Sequence, residues 1–216
     1  MTEKLGESDL QVLLQQLREV EFPTLGHFLE NGFCNSEIRS MVTGVRMVGI
    51  ASTVLIPDAD AVSVNQALLR LLPGEVLVLA MGGDLAHAPV GAVTVAAAKA
   101  QGAAGILVDG PITDVIELNT RGSDGKVVPV FARGSTCLTT KRLGSGLAQF
   151  GVPVTVGGTV VNPGDVVLGD DNGVLVITAE AVARVVDLAR DSDAAEPDIL
   201  RRIASGEPLN QILFLG

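Results

Sequence analysis

The 216-residue sequence has no tryptophan and no tyrosine, and aromatic residues of any kind make up only 3%. Readers of single-stranded nucleic acid stack bases on aromatic faces, and only Phe and the two His remain here for that task. Cations are also in the minority, 15 Lys and Arg against 25 Asp and Glu, for a formal net charge of −10. That charge opposes approach to a phosphate backbone, so nucleic acid is not an expected partner. The only cysteines, Cys34 and Cys137, lie far apart and outside any CxxC or Cys/His spacing, which excludes a disulfide framework or a zinc site and fits a reducing cytoplasm. No stretch approaches eighteen consecutive apolar residues, and the start MTEKLGESDLQVLLQQL lacks a basic segment followed by an apolar run. Neither export nor a membrane span is expected.

What is abundant is aliphatic surface and glycine: 47% apolar residues and 25 Gly. This describes a tightly turned chain long enough to bury one core, and a single domain over 1–216 is the expectation. Its parts are a helical N-terminal segment (1–44), a core of sheet and hairpins (45–178) and C-terminal helices (179–216). Apolar spacing predicts a first helix over 8–20 with Ser8 as its N-cap, and a shorter one capped by Thr24. One or two strands follow over 45–56, with Gly49 at a bulge or turn. Next come a helix over 63–72, the strand EVLVLAM, a helix over 92–101, the strand AGILVDG and a strand over 127–132. Strand–helix alternation of this kind gives right-handed crossovers and a largely parallel sheet, an α/β fold whose ligands sit beyond the carboxyl ends of the strands. Gly157-Gly158, Pro163-Gly164-Asp165 and Asp171-Asn172-Gly173 then divide a hairpin-rich stretch. Helical periodicity returns over 179–190, an acidic break ending at Pro197 interrupts it, and a last helix covers 199–204.

The chemistry-bearing residues are few. No GxGxxG, GxxxxGK[ST] or GxSxG is present, so neither a familiar phosphate loop nor a nucleophile elbow is available. His27 lies in an apolar helical stretch and reads as structural, whereas His87 follows the Gly82-Gly83-Asp84 loop and is a candidate for a ligand site. Asp84, Asp109 and Asp114 follow strand ends and could converge there as hard oxygen ligands for Mg2+ or Mn2+. Equally, Asp109 could serve a turn and Asp114 could cap a helix. Asp165, Asp170 and Asp171 read as turn residues.

Residues 88–115, APVGAVTVAAAKAQGAAGILVDGPITDV, resemble the signature region of the RraA-like family, which includes 4-hydroxy-4-methyl-2-oxoglutarate / 4-carboxy-4-hydroxy-2-oxoadipate aldolases and regulators of ribonuclease E activity. The resemblance extends through PGEV, VPVFARG, VPVTVGGTVVNPGDVVLGDDNGVLVI and EPDILRRIASGE, and so covers nearly the whole chain. It implies a swivelling β/β/α domain assembled as a homotrimer or homohexamer. It further implies a lyase on a small 2-oxo acid, cleaving by retro-aldol chemistry or decarboxylation while a divalent metal, Mg2+ or Mn2+, stabilises the enolate. Asp114 matches the family's metal-binding Asp. The helix start after Gly91, with the amides of Val93, Thr94 and Val95, matches the place that receives the substrate carboxylate.

Two positions depart from that pattern. Where the aldolases carry an Arg just before the metal Asp, this chain has Thr113, and where they carry an acid after the helix-opening Gly it has Ala92. A bidentate Arg contact is worth about 1.5–3 kcal/mol, and a Thr hydroxyl cannot supply its charge. Thr113 and His87 thus become candidates for an altered catalytic set, and Lys99, Arg121, Arg133 and Lys141 for the missing cation. Glu196 lies near where some aldolases present an acid from the adjoining subunit, though a solvated charge explains it as well. The alternative from another class is a non-catalytic oligomer that acts by binding a partner, as the ribonuclease E regulators do.

Overall fold

A computed structural model describes residues 6–120 and 125–213. It divides into a core unit, Glu30–Ala179, and a helical unit made of the chain before Leu29 and after Glu180.

The core is organised by alternation along its strands. Strands β2 (Met47–Leu55), β3 (Glu75–Ala80), β4 (Gly105–Asp109) and β5 (Val130–Ala132) are parallel neighbours. They are linked through helices α3 (Ala61–Arg70), α4 (Ala92–Ala100) and α5 (Val115–Asn119). Leu77, Leu79, Ile106, Val108, Val130 and Ala132 point to the helices, and Val76, Val78, Leu107 and Phe131 point to the opposite face. With both faces apolar, the strands read as continuous runs, as buried parallel strands do. The opposite face is covered by hairpin residues, including Val154, Val156 and Val161. These belong to β7 (Val154–Val156) and β8 (Thr159–Val161), which pair only with each other. Helices on one face and a second β layer on the other make the β/β/α architecture.

Two antiparallel additions widen the sheet. β9 (Val166–Asp170) joins β2 and forms a hairpin with β10 (Gly173–Ile177), while β6 (Gln149–Phe150) pairs with the far end of β2. On the other edge a two-residue β1 (Arg39–Ser40) lies antiparallel to β5. Phe33, just before β1, bridges Leu175 of β10, so the two edges approach closure. Phe33 and Arg39–Ser40 therefore belong to the sheet, within the 1–44 segment expected to be helical. Gly49 occupies no bulge: it lies in mid-β2, where a Cβ would stand 2.6 Å from the Gly74 carbonyl oxygen and 2.7 Å from Ala104 Cβ.

The helical unit holds α1 (Glu7–Leu17), α2 (Phe22–Leu25), α6 (Ala179–Ala183), α7 (Val186–Ala204) and a 3-10 turn at Leu209–Gln211. Neither expected hydroxyl cap forms. α1 starts after Gly6 without a side-chain cap, and Thr24 lies inside α2, where its hydroxyl donates to Asp193 at 2.5 Å. The break expected before Pro197 is also absent, because α7 runs through it. A proline there removes one N–H, the one that would reach the carbonyl of Asp193. The surrounding helix keeps its remaining bonds, and the interruption falls instead at Arg184–Val185, between α6 and α7. No helix among the described residues is long and apolar enough to cross a membrane.

Candidate functional site

Beyond β4 the chain turns at Gly110-Pro111 and runs as an extended strap. Ile112, fully buried, bridges Val90 on one side and Ser135 on the other, and the Thr113 amide donates to the Val90 carbonyl at 2.9 Å. The strap delivers Asp114 to the start of α4 in the left-handed conformation, φ 59° and ψ 37°. Among the described residues it is the one non-glycine with positive φ. Asp accepts that region more readily than most residues, at a cost of about 1–2 kcal/mol.

Its carboxylate does not cap its own helix. Oδ2 accepts from the Ala92 amide at 2.8 Å, and Oδ1 accepts from the Thr113 hydroxyl at 3.2 Å, while the main-chain carbonyl receives the Leu118 amide. Gly91 makes the approach possible, because a Cβ there would stand 2.6 Å from Asp114 Oδ2 and 2.8 Å from Thr113 Cγ2. Gly91, Ala92, Thr113 and Asp114 thus form one junction between α4 and α5, and Asp114 is its exposed acid.

The first turn of α4 faces the same junction. The Val95 amide is closed onto the Gly91 carbonyl at 3.0 Å, so it cannot take part in receiving a carboxylate. The Ala92 amide is held by Asp114. This leaves Val93 and Thr94 as the first-turn donors without an intrahelical acceptor. Of the three amides named from the sequence, these two are open and that of Val95 is bonded.

Nor do the three carboxylates converge. Alternation along β4 sends Asp109 to the side of Leu107, away from the helices. There its Oδ1 accepts from Arg133 Nε at 2.8 Å and from the Gly157 amide at 3.0 Å, tying β4 to the β7–β8 turn. Gly157 (φ 55°) is packed so closely that a Cβ would meet Ile38 Cγ1 at 2.7 Å. Asp84 folds onto its own loop, accepting the amides of Ala86 and His87 and contacting His87 Nδ1 at 2.7 Å. Burial opposes its ionisation, but these amides and the imidazole outweigh it and lower its pKa. No group of three His, Cys, Asp or Glu able to hold a metal exists among the described residues. Replacing Asp109 with Asn should cost about 2 kcal/mol in urea-denaturation stability, since Arg133 would lose a part-buried charged partner.

The cations considered for the missing arginine are largely committed elsewhere. Burial works against the charge of Arg133, but Asp109 and Glu37 more than compensate and raise its pKa. Lys99 Nζ donates to the Lys126 carbonyl, whereas Lys141 is exposed and only its backbone is engaged, with Ala59 and Ala61. Arg121 lies outside the described residues. Glu196 is an exposed residue of α7. Asp165 and Asp170 accept the local amides of Asn162 and Asn172, in keeping with turn roles, whereas Asp171 accepts the amide of Gly44, 127 residues away in the chain.

A metal at Asp114 would find one exposed carboxylate whose oxygens each keep a free lone pair beside their single hydrogen bond. That donor set fits Mg2+ or Mn2+, which retain most of their water and use one or two carboxylates. It does not fit a cation that needs a full cage of protein ligands.

Fold and site together define a β/β/α domain with an exposed acid set against an open helix end. Residues 21–176 match the model of the RraA-like family, described as Aldolase/RraA, and the chain belongs to that family. A Halalkalibacterium halodurans protein named "Putative 4-hydroxy-4-methyl-2-oxoglutarate aldolase" is 34% identical over 159 residues, covering 74% of this chain and 72% of that protein. Among solved structures, an uncharacterized protein from Pseudomonas syringae pv. tomato superposes with a TM-score of 0.77 at 27% identity, covering 94% of this chain and 92% of the other. Streptomyces coelicolor RraAS2, described as an unusual member of the RNase ES inhibitor RraA protein family, does so with a TM-score of 0.72 at 27% identity, covering 91% and 98%.

Proposed function

We propose that the chain is a divalent-metal-dependent lyase acting on a small 2-oxo acid, by retro-aldol cleavage or by decarboxylation of the oxaloacetate type. The observation that carries this reading is the junction itself: an exposed carboxylate fixed beside two open helix-end amides. The Val93 and Thr94 amides, at the positive end of α4, receive the substrate carboxylate. Asp114 would hold Mg2+ or Mn2+ among waters, and such a cation would supply Lewis acidity at the 2-oxo group. Thr113 keeps Asp114 oriented through its hydroxyl and contributes no charge. His87, its Nδ1 fixed by Asp84, is the acid–base candidate, with Nε2 as the atom that takes or returns a proton. The working form is a cytoplasmic homotrimer or homohexamer.

A second reading, a non-catalytic regulator that binds a partner, is favoured by one observation, the neutral Thr113 where the aldolases place a cation. Pyruvate release from 4-hydroxy-4-methyl-2-oxoglutarate and from oxaloacetate decides between them. Turnover above the metal-only background with Mg2+ or Mn2+, lost on adding chelator, is the expected result. Equal rates with and without protein would leave the regulator.

A further inference from the structure

A second site lies in the same unit. Segments that follow β3, β4 and β5 line an open cleft of about 890 Å3, with β1 and its flanks on its other side. It therefore opens over the carboxyl ends of parallel strands, where α/β sheets take ligands, and its volume is that of a small-molecule pocket. None of Gly91, Thr113 and Asp114 lines it.

Its charged lining residues are two arginines, Arg39 and Arg133, and one carboxylate, Glu37. Arg133 is anchored at the back through Nε to Asp109, its side chain 19% exposed, and its Nη1 is paired with Glu37, whose side chain is 67% exposed. Arg39 donates from Nε to the Ser36 carbonyl, and no ion pair engages its Nη groups among the described residues. Leu85 and Leu138, both lining, are 58% and 43% exposed and supply an apolar wall. The buried partner of Arg133 is fixed, whereas the solvated one is exchangeable. Glu37 is thus a carboxylate of the chain itself resting where a ligand carboxylate would bind.

We propose that this cavity binds a small aliphatic carboxylic acid. Its carboxylate displaces Glu37 from Arg133 and is shared with Arg39, and its hydrocarbon part lies against Leu85 and Leu138. The site shares no residue with the proposed lyase junction.

The test is calorimetric titration of the whole chain in chelator, with hexanoate, acetate and inorganic phosphate as probes. Hexanoate should bind at least tenfold more tightly than acetate or phosphate. Arg39→Ala should weaken hexanoate at least tenfold, and Glu37→Gln should tighten it severalfold by removing the internal competitor. Asp114→Asn, which removes a neighbouring negative charge, should not weaken it. Equal binding of hexanoate and phosphate would reduce the cavity to a general anion site and overturn the proposal. No hexanoate binding, indifference to both Arg39→Ala and Glu37→Gln, or loss in Asp114→Asn would also overturn it. A tightening in Glu37→Gln cannot come from a misfolded chain, so the result remains readable if Arg39→Ala proves unstable.

Discussion

Asp114→Asn should fold as the native chain does and bind Mn2+ on the order of 100-fold more weakly, with any metal-dependent turnover falling at least as far. Asn accepts the left-handed backbone that Asp114 adopts and can still receive the Ala92 amide, so the substitution removes the charge and little else. Gly91→Ala should produce almost the same loss without deleting any ligand, because the new methyl group would occupy the space of Asp114 Oδ2. Electron paramagnetic resonance of Mn2+ titrated into each chain reads both effects directly. Native-like Mn2+ affinity in either variant would show that the junction is not where the cation binds.

Asp60→Ala should destabilise the fold by roughly 3 kcal/mol, the largest stability effect expected of a single polar side chain here. Asp60 is 1% exposed and caps α3 through the amides of Val62 and Ser63. It also accepts the Ser63 hydroxyl at 2.7 Å and, across more than eighty residues, the amides of Leu143 and Gly144 at 3.1 Å. Removing it strands buried donors in two segments at once. Burial alone would raise its pKa, but the Ser63 hydroxyl and the amides of Gly144, Val62 and Leu143 outweigh burial and bring it from 3.8 down to about 2. A folded-state pKa below the unfolded one means that this stabilisation is complete above about pH 4 and disappears as pH falls towards 2. Urea denaturation at pH 7 should reveal the full difference between native and Asp60→Ala chains. The same comparison near pH 2 should show it narrowed, and a difference unchanged across that range would contradict the assignment.

Parts of this fold were legible because they are local. Both β3 and β4 are short apolar runs with a turn signal on each side, and α4 has small helix-forming residues ended by Gly102, so their order along the chain dictates the parallel sheet. β1 was not legible: two residues paired with β5 some ninety positions away leave no periodic trace. Asp60 was missed because the helical pattern was read as beginning at Ser63, and half of its partners come from the distant 143–144 segment. At the junction, strand-end position offers Asp114 together with Asp84 and Asp109, and only the resemblance separates it from them, since no spacing rule foretells that its carboxylate bypasses its own helix for α4. Val95 follows a simpler rule, as helix position decides which amides stay open and the fourth is already bonded.

The strap between Pro111 and Asp114 sets a distance. Pro111 lines the cavity and Asp114 holds the junction, and three peptide units can separate their Cα atoms by no more than about 11 Å. Charges on that scale stand about one Debye length apart at physiological salt, and the low-dielectric strap between them screens less than water. An anion lying beside Pro111 and a cation on Asp114 would attract by roughly 0.5–1.5 kcal/mol. Binding free energies are reciprocal, so each would raise the affinity of the other by the same factor, about two- to tenfold. Fully buried Ile112 keeps the strap from lengthening or swinging, so this coupling is fixed by covalent geometry and needs no moving part.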